Sequence, residues 1–229
     1  MANRTEYEDC GGGLRITRLV STDKVVTVPS DHGGKPVVSL GPRILVGSPP
    51  ADGRTVRIPS TVTDMDPEAL CGIIGIKRVE YGGEMEVFNS FGAVTETDCT
   101  LVCRNSGSEY TFDFLAGHPM SFPGFDDALL SMNMRMSPEI AARRLRDPIG
   151  LTEKARERYE KVLSEVLMPR AEQAVSKGDV KALRELFSTG IVSDADISRL
   201  MERSLRSGKT GITSALMSEV RRRYLEKRV

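Results

Sequence analysis

Two short stretches, Val26-Thr-Val28-Pro29-Ser30 and Val56-Arg-Ile58-Pro59-Ser60, decide the fold. Each alternates apolar with polar residues and stops at Pro-Ser, as a short strand running into a turn does, because side chains two apart in a strand share a face. The pattern returns more loosely as Val79-Glu-Tyr81 and Leu101-Val-Cys103, so the four starts lie 30, 23 and 22 residues apart. Between strands, Val37-Val-Ser-Leu40-Gly-Pro-Arg-Ile44-Leu45 aligns with Val62-Thr-Asp-Met65-Asp-Pro-Glu-Ala69-Leu70 at an offset of 25, apolar on apolar at every inward position. Each unit then reads as strand, turn and short helical segment. A unit of this size cannot enclose a core, so it must stack on the next and bury a shared ladder of aliphatic side chains, which predicts a β-solenoid.

The same alternation sorts inside from outside. Val26, Val56, Val79 and Leu101 stack inward with Val28, Ile58, Tyr81 and Cys103, whereas Thr27, Arg57, Glu80 and Val102 point out. The outward row is the candidate protein-binding surface, since extended repeat proteins present partners with the face of the stack. A plain solvated sheet face gives the same pattern. Residues 109–115 alternate Tyr110, Phe112 and Phe114, which predicts a terminal strand whose rings cover the open end. Residues 116–136 combine Gly117, Pro119, Pro123 and Gly124 with the Met-rich SMNMRM and read as a linker with one apolar anchor at 125–130.

From Ser137 onward Ala, Leu, Arg, Glu and Lys dominate and apolar residues recur at three and four, the helical period. This half repeats as well. The run from Ala171 through Gly178 to Leu183, Leu186 and Phe187 aligns with that from Met201 through Gly208 to Thr213, Leu216 and Met217 at an offset of 30. Gly178 and Gly208 fall where a left-handed residue ends a helix, so helical hairpins are expected. Ser193, with Asp196 three residues on, and Thr152 before the next run are helix caps that satisfy free backbone donors. The expected fold is therefore α+β: a short β-solenoid over 1–115, a linker over 116–136, and an all-α antiparallel helical-hairpin domain over 137–229.

The run GGGLRITRLVSTDKVVTVPSDHGGKPVVSLGPRIL (residues 11–45), followed by TVRIPSTVTDMDPEAL (55–70), resembles the BspA-type leucine-rich-repeat family. Its units read as a strand ending in Ile-Pro, then Val, a small polar step and an apolar pair. Ile58-Pro59, Val62, Met65, Ala69 and Leu70 carry the match, over roughly residues 11–105. Asp66 stands where the usual step holds glycine, and Leu45 or Leu70 where it holds an aromatic. The C-terminal half is similar to an ankyrin-like helical module, with Lys177-Gly178-Asp179-Val180 as its turn and without the Thr-Pro-Leu-His signature. The resemblance implies protein–protein interaction through the repeat surface, no shared catalytic activity and no cofactor.

Composition bounds the rest. At 229 residues with 39% hydrophobic and 28% charged residues, the chain suits two small domains. The formal net charge of zero conceals a split: residues 137–229 hold 20 Lys+Arg against 14 Asp+Glu, leaving 12 against 18 before them. A basic half suits nucleic acid or an acidic partner, and two solvated domains docking on each other give the same asymmetry. The opening MANRTEYEDCGGG lacks the layout of a secretory signal and no apolar run is long enough to cross a bilayer, so a cytoplasmic location without membrane partners is expected. Four cysteines are too sparse for a disulfide scaffold, and free thiols are expected.

Few residues suggest chemistry. His32 and His118 both lie in Gly- or Pro-flanked stretches, where a turn role outweighs catalysis. Cys99 and Cys103 have the sequence spacing of a zinc-ligand pair but no second pair, so buried thiols are the stronger reading. Ser207-Gly-Lys-Thr210-Gly resembles a phosphate loop, yet Arg203 replaces its first glycine, and an interhelical turn is expected. The terminal cluster Arg221-Arg-Arg-Tyr224-Leu-Glu-Lys-Arg228 suits either phosphates or the negative end of its own helix. The leading expectation is a non-catalytic interaction module or adaptor for a protein partner of unknown identity. Nucleic-acid association by the basic half is the alternative, and a metal or hydrolytic enzyme joining Cys99, Cys103 and a histidine comes third.

Overall fold

The computed structural model describes residues 4–131, 137–188 and 192–226 of the chain. They form a mixed α+β structure of two compact units, Met1–Met132 and Asn133–Val229. In the first unit the chain runs through β1 (Arg4–Cys10), β2 (Gly13–Val20), β3 (Val25–Thr27), β4 (Asp31–His32), β5 (Lys35–Leu40), β6 (Arg54–Ile58) and β7 (Asp64–Met65). It continues through β8 (Ile76–Glu84), α1 (Met85–Phe91), β9 (Cys99–Asn105), β10 (Ser108–Phe114) and α2 (Gly124–Ser131).

The arrangement is solenoid-like, with about four turns. One sheet has the order β10-β9-β8-β6-β3, in which β3, β6, β8 and β9 are parallel and β10 closes the edge antiparallel. The predicted rungs are in register: Val26 pairs with Val56, Val56 with Val79 and Val79 with Leu101. All four are buried, as are Val28, Ile58, Tyr81 and Cys103. Successive strands lie about 4.8 Å apart, so each aliphatic side chain sits on its counterpart and excludes water from it.

The stretches related by the offset of 25 were expected to be short helices and are not. Leu40 pairs in parallel with Met65 through β5 and β7, and β2 joins the other side of β5, with Leu14 against Val37 and Ile16 against Leu40. Beyond these strands the chain makes turns at 42–47 and 67–70. The reason lies in where the backbone amides go. A helix bonds each amide to a carbonyl of its own chain four residues back, whereas Arg43 N and Ile44 N donate sideways to Glu68 O at 3.0 Å and Ala69 O at 3.1 Å. Lateral pairing keeps Ile44, Leu45, Ala69 and Leu70 stacked and buried, as their sequence match requires. In the third turn α1 is a helix, burying Met85, Phe88 and Phe91 and ending at Gly92 in the left-handed conformation with φ 60.

The expected terminal strand is β10, with Tyr110, Phe112 and Phe114 buried. Those rings do not close the end alone. Residues 116–131, expected as linker, pack into the first unit: Met120, Phe122 and Phe125 are buried, and Phe125 meets Phe114 edge-on at 5.2 Å and Phe112 at 5.5 Å. Edge-to-face aromatic pairs each add about 0.5–1.5 kcal/mol beyond burial, and three rings sharing one apolar pocket draw the Gly/Pro-rich segment down. Phe122 N also donates to Asn89 Oδ1 at 2.9 Å, tying the segment to α1. The Met-rich residues 132–136 lie outside the described residues.

The second unit comprises α3 (Pro138–Arg146), α4 (Glu153–Lys177), α5 (Val180–Ser188), α6 (Asp194–Ser207) and α7 (Thr210–Glu226). Ser137, Thr152 and Ser193 cap α3, α4 and α6 with their side-chain oxygens, accepting from the amides of Ile140, Ala155 and Asp196. Gly178 and Gly208 end α4 and α6 at φ 76 and 66. Helix α4 packs against α3, α5 and α6, while α7 packs against α5 and α6. Their apolar faces merge in one cluster that includes Val175, Leu183, Phe187, Ile197, Leu200, Ile212 and Leu216. Buried polar groups are bonded within this unit, among them Asp196 to the Ser164 and Ser193 hydroxyls and Arg144 to the carbonyls of Asp147 and Ile149.

Candidate functional site

The outward positions form one continuous row across the sheet. Thr27 pairs with Arg57, Arg57 with Glu80, Glu80 with Val102, and Val102 with Thr111. Parallel register does this, because inward side chains held in line force their neighbours one residue on into line as well. A second outward row runs Val25, Thr55, Arg78, Thr100 and Asp113.

Arg78, in that second row, completes the charge pattern at the centre. Glu80 takes a hydrogen bond from Arg78 Nε on Oε1 at 2.7 Å and one from Arg57 Nε on Oε2 at 2.8 Å. These bonds, from Arg78 first and Arg57 second, hold the Glu80 carboxyl below the usual carboxylate range against a smaller opposing effect of burial. The two guanidiniums remain about half exposed, 54% for Arg57 and 43% for Arg78. Water therefore screens the ion pairs, which contribute about 0.2–1 kcal/mol each. Their consequence is a fixed presentation: two cationic groups clamped around one anion, with Thr27 and Val102 on either side. A depression of about 510 Å³ opens over this centre, with Arg104 and Glu109 also on its wall. Sequence reading missed Arg78, although it stands two residues before Glu80 and alternation alone puts both on one face.

The other candidates are placed elsewhere. Cys99 and Cys103 point inward and are buried, and burial pushes both thiols up to about 12. Four strand residues separate their backbones by about 13 Å, too far for both sulfurs to reach one ion. Among the described residues no group of three or more His, Cys, Asp or Glu side chains is placed to hold a metal. His32 stacks on Tyr7 with ring centroids 4.3 Å apart, in the β4–β5 hairpin. His118 is buried in a turn, its Nδ1 2.9 Å from Ala116 O and its ring edge-on to Phe125. His32, expected in a turn, is thus a strand residue of β4 paired with Lys35 beside the Gly33-Gly34 turn, whereas His118 lies in a turn.

Ser207-Gly-Lys-Thr210-Gly is the junction of α6 and α7, and Lys209 Nζ donates to Ser176 O at the C-terminal end of α4. A cation there complements the helix dipole. In the terminal cluster, Arg222 and Arg223 both bond Glu219, and Arg223 also reaches Asp194 at 3.0 Å. Their bonds hold the Glu219 carboxyl below its ordinary range. Two of the arginines offered to phosphates are thus bound within the unit, and Lys227 and Arg228 lie outside the described residues. No helix among the described residues is long and apolar enough to cross a membrane.

Comparison with known proteins finds no matching family model, curated protein or solved structure.

Proposed function

We propose that the chain is a non-catalytic interaction module of the leucine-rich-repeat kind, joined to tandem antiparallel helical hairpins, α4–α5 and α6–α7. Its partner is a protein, bound by the outward face of the solenoid around Thr27, Arg57, Glu80 and Val102. The observation that carries this reading is the in-register row with Glu80 clamped between Arg57 and Arg78 beside a depression of about 510 Å³. A partner meeting this face finds polar groups already fixed, so little side-chain freedom is lost on binding. Arginine, enriched at interface hot spots, supplies bidentate donors to a carboxylate of the partner. The four outward positions have no part in the core, so the fold leaves their identity open to selection by a partner.

The test is parallel capture with the wild-type chain and an Arg57→Ala/Glu80→Ala variant as bait, followed by mass spectrometry. The wild type enriches one protein that the variant loses, while both baits keep the same melting temperature within a few degrees. Identical protein lists from the two baits would remove the proposed surface. Nucleic-acid association by the helical half predicts binding that weakens steeply with salt. It ranks second because Arg222 and Arg223 are held by Glu219.

A further inference from the structure

We infer that the helical unit associates head to tail with a second copy of this chain. The open face of α6–α7, around Leu205 and Met217, meets the free end of α4–α5, around Ala182. The argument begins with the 30-residue correspondence between the two helix pairs. Val175 and Phe187 are buried at 0% and 4% exposure, whereas their counterparts Leu205 and Met217 are 62% and 58% exposed. Leu183 is likewise buried and its counterpart Thr213 only half-buried. On the opposite face the order reverses. Ile212 and Leu216 are buried at 1% and 0%, while their counterparts Ala182 and Leu186 are half-buried.

Both differences have one cause. Within the chain, the face of α4–α5 carrying Val175 and Phe187 joins a single apolar cluster with the face of α6–α7 carrying Ile212 and Leu216. Moving that interface on by one repeat sets Leu205 and Met217 of one copy against the Ala182 face of the next. The described helices therefore leave one face of each kind uncovered, that of α4–α5 bearing Arg170 and Glu185 where α6–α7 has Leu200 and Ala215.

Each end offers a matching concavity. The groove at Leu205 and Met217 measures about 480 Å³ and is also lined by Thr213, Ser214 and Arg221. The recess at Ala182 measures about 320 Å³ and carries Asp179 and Glu185 on its rim together with Arg170 and Lys177. Two large apolar side chains more than half exposed side by side on α6–α7 are the kind of surface patch that marks an interaction site. Such a contact joins unlike surfaces, so it does not close on itself, and chains add one after another.

The inference rests on the tandem-hairpin reading proposed above, and a separate control tests that reading. Val175→Asp puts a charge into the intramolecular contact and strongly lowers the helical melting temperature if the pairs stack. An unchanged melt would sink the repeat reading itself.

The association is measured on the full chain by sedimentation velocity and light scattering over a wide concentration range. The wild-type mass rises above the monomer value of 25.1 kDa and keeps rising past the dimer. Met217→Glu and Ala182→Glu each remain monomeric alone, with unchanged circular dichroism. Mixed in equal amounts, they form a one-to-one dimer and nothing larger, because each supplies the end that the other lacks. Leu205→Glu serves as a second variant of the α6–α7 face should Met217→Glu disturb folding. A wild type that stays monomeric throughout overturns the inference, as does a mixture that stays monomeric. Ala182→Glu that dimerises by itself does the same, showing a symmetric contact between two α6–α7 faces.

Discussion

The two units of this protein solve one problem in different ways, and they differ most at their ends. A repeat of 22 to 30 residues cannot bury its own apolar face, so each must borrow a neighbour. In the solenoid the borrowing is done twice, by aliphatic rungs such as Val56–Val79–Leu101 and by backbone bonds running sideways between turns. One end of the rung sheet is then sealed by β10 and the rings of Phe112, Phe114, Phe122 and Phe125. In the helical unit each helix satisfies its own amides, so neighbouring helices meet through side chains. Helices α6 and α7 leave Leu205 and Met217 exposed. Sideways backbone bonding fixes a stack and obliges its edge to be capped, whereas side-chain packing leaves apolar residues outside the shared cluster uncovered.

The comparison can be broken most directly in the ladder. Leu101→Ala, at a fully buried rung, should cost about 2–5 kcal/mol in urea unfolding, and Leu205→Ala, on the open face, should change stability by less than about 0.5 kcal/mol. Equal effects at the two sites, measured at concentrations where the chain is monomeric, would show that Leu205 packs within its own chain.

The helix ends sharpen it next. Gly178→Ala and Gly208→Ala should each cost about 1 kcal/mol, because both glycines hold left-handed backbone and an added methyl meets at most ordinary contacts. A much larger loss at one of them would point to a packing role absent at the other.

The outward row should matter less for stability. Glu80→Gln should lower it by no more than about 1 kcal/mol near neutral pH. Because the folded Glu80 carboxyl titrates below its unfolded value, its stabilisation is present above the ordinary carboxylate range and is lost as pH falls through the folded value. The gap between wild type and variant in denaturant midpoints should therefore close in acid, and a gap that widens there would contradict the clamp.

The smallest effect is chemical. With their thiols pushed up to about 12, Cys99 and Cys103 should resist iodoacetamide at pH 8 in the folded chain and react once urea unfolds it. Mass mapping of labelled cysteines reads this directly, and rapid labelling of either in the native protein would place it outside the ladder.

Much of this was legible before any coordinates. The rung residues, their register and the outward Thr27, Arg57, Glu80 and Val102 follow from alternation at a fixed period, since two-residue periodicity admits one inward set. The caps Thr152 and Ser193 and the left-handed Gly178 and Gly208 were equally readable, because each is a local backbone requirement with a residue type to match. The site was half readable: Arg57 and Glu80 fall in the outward row that the repeat sets, whereas their partner Arg78 belongs to the adjacent row and reaches Glu80 only through a side-chain bond.

What sequence alone determined is therefore what repeats: periods, faces and helix ends, all governed by interactions within a few residues or by the identity of successive units. Tertiary structure alone decided what does not repeat. Whether residues 42–47 would coil into a helix or bond sideways depended on a neighbouring turn 25 residues away. Whether 116–131 would hang loose or close the stack depended on rings exposed by β10. In each case the deciding partner is distant in sequence, and burial is a property of the pair of surfaces.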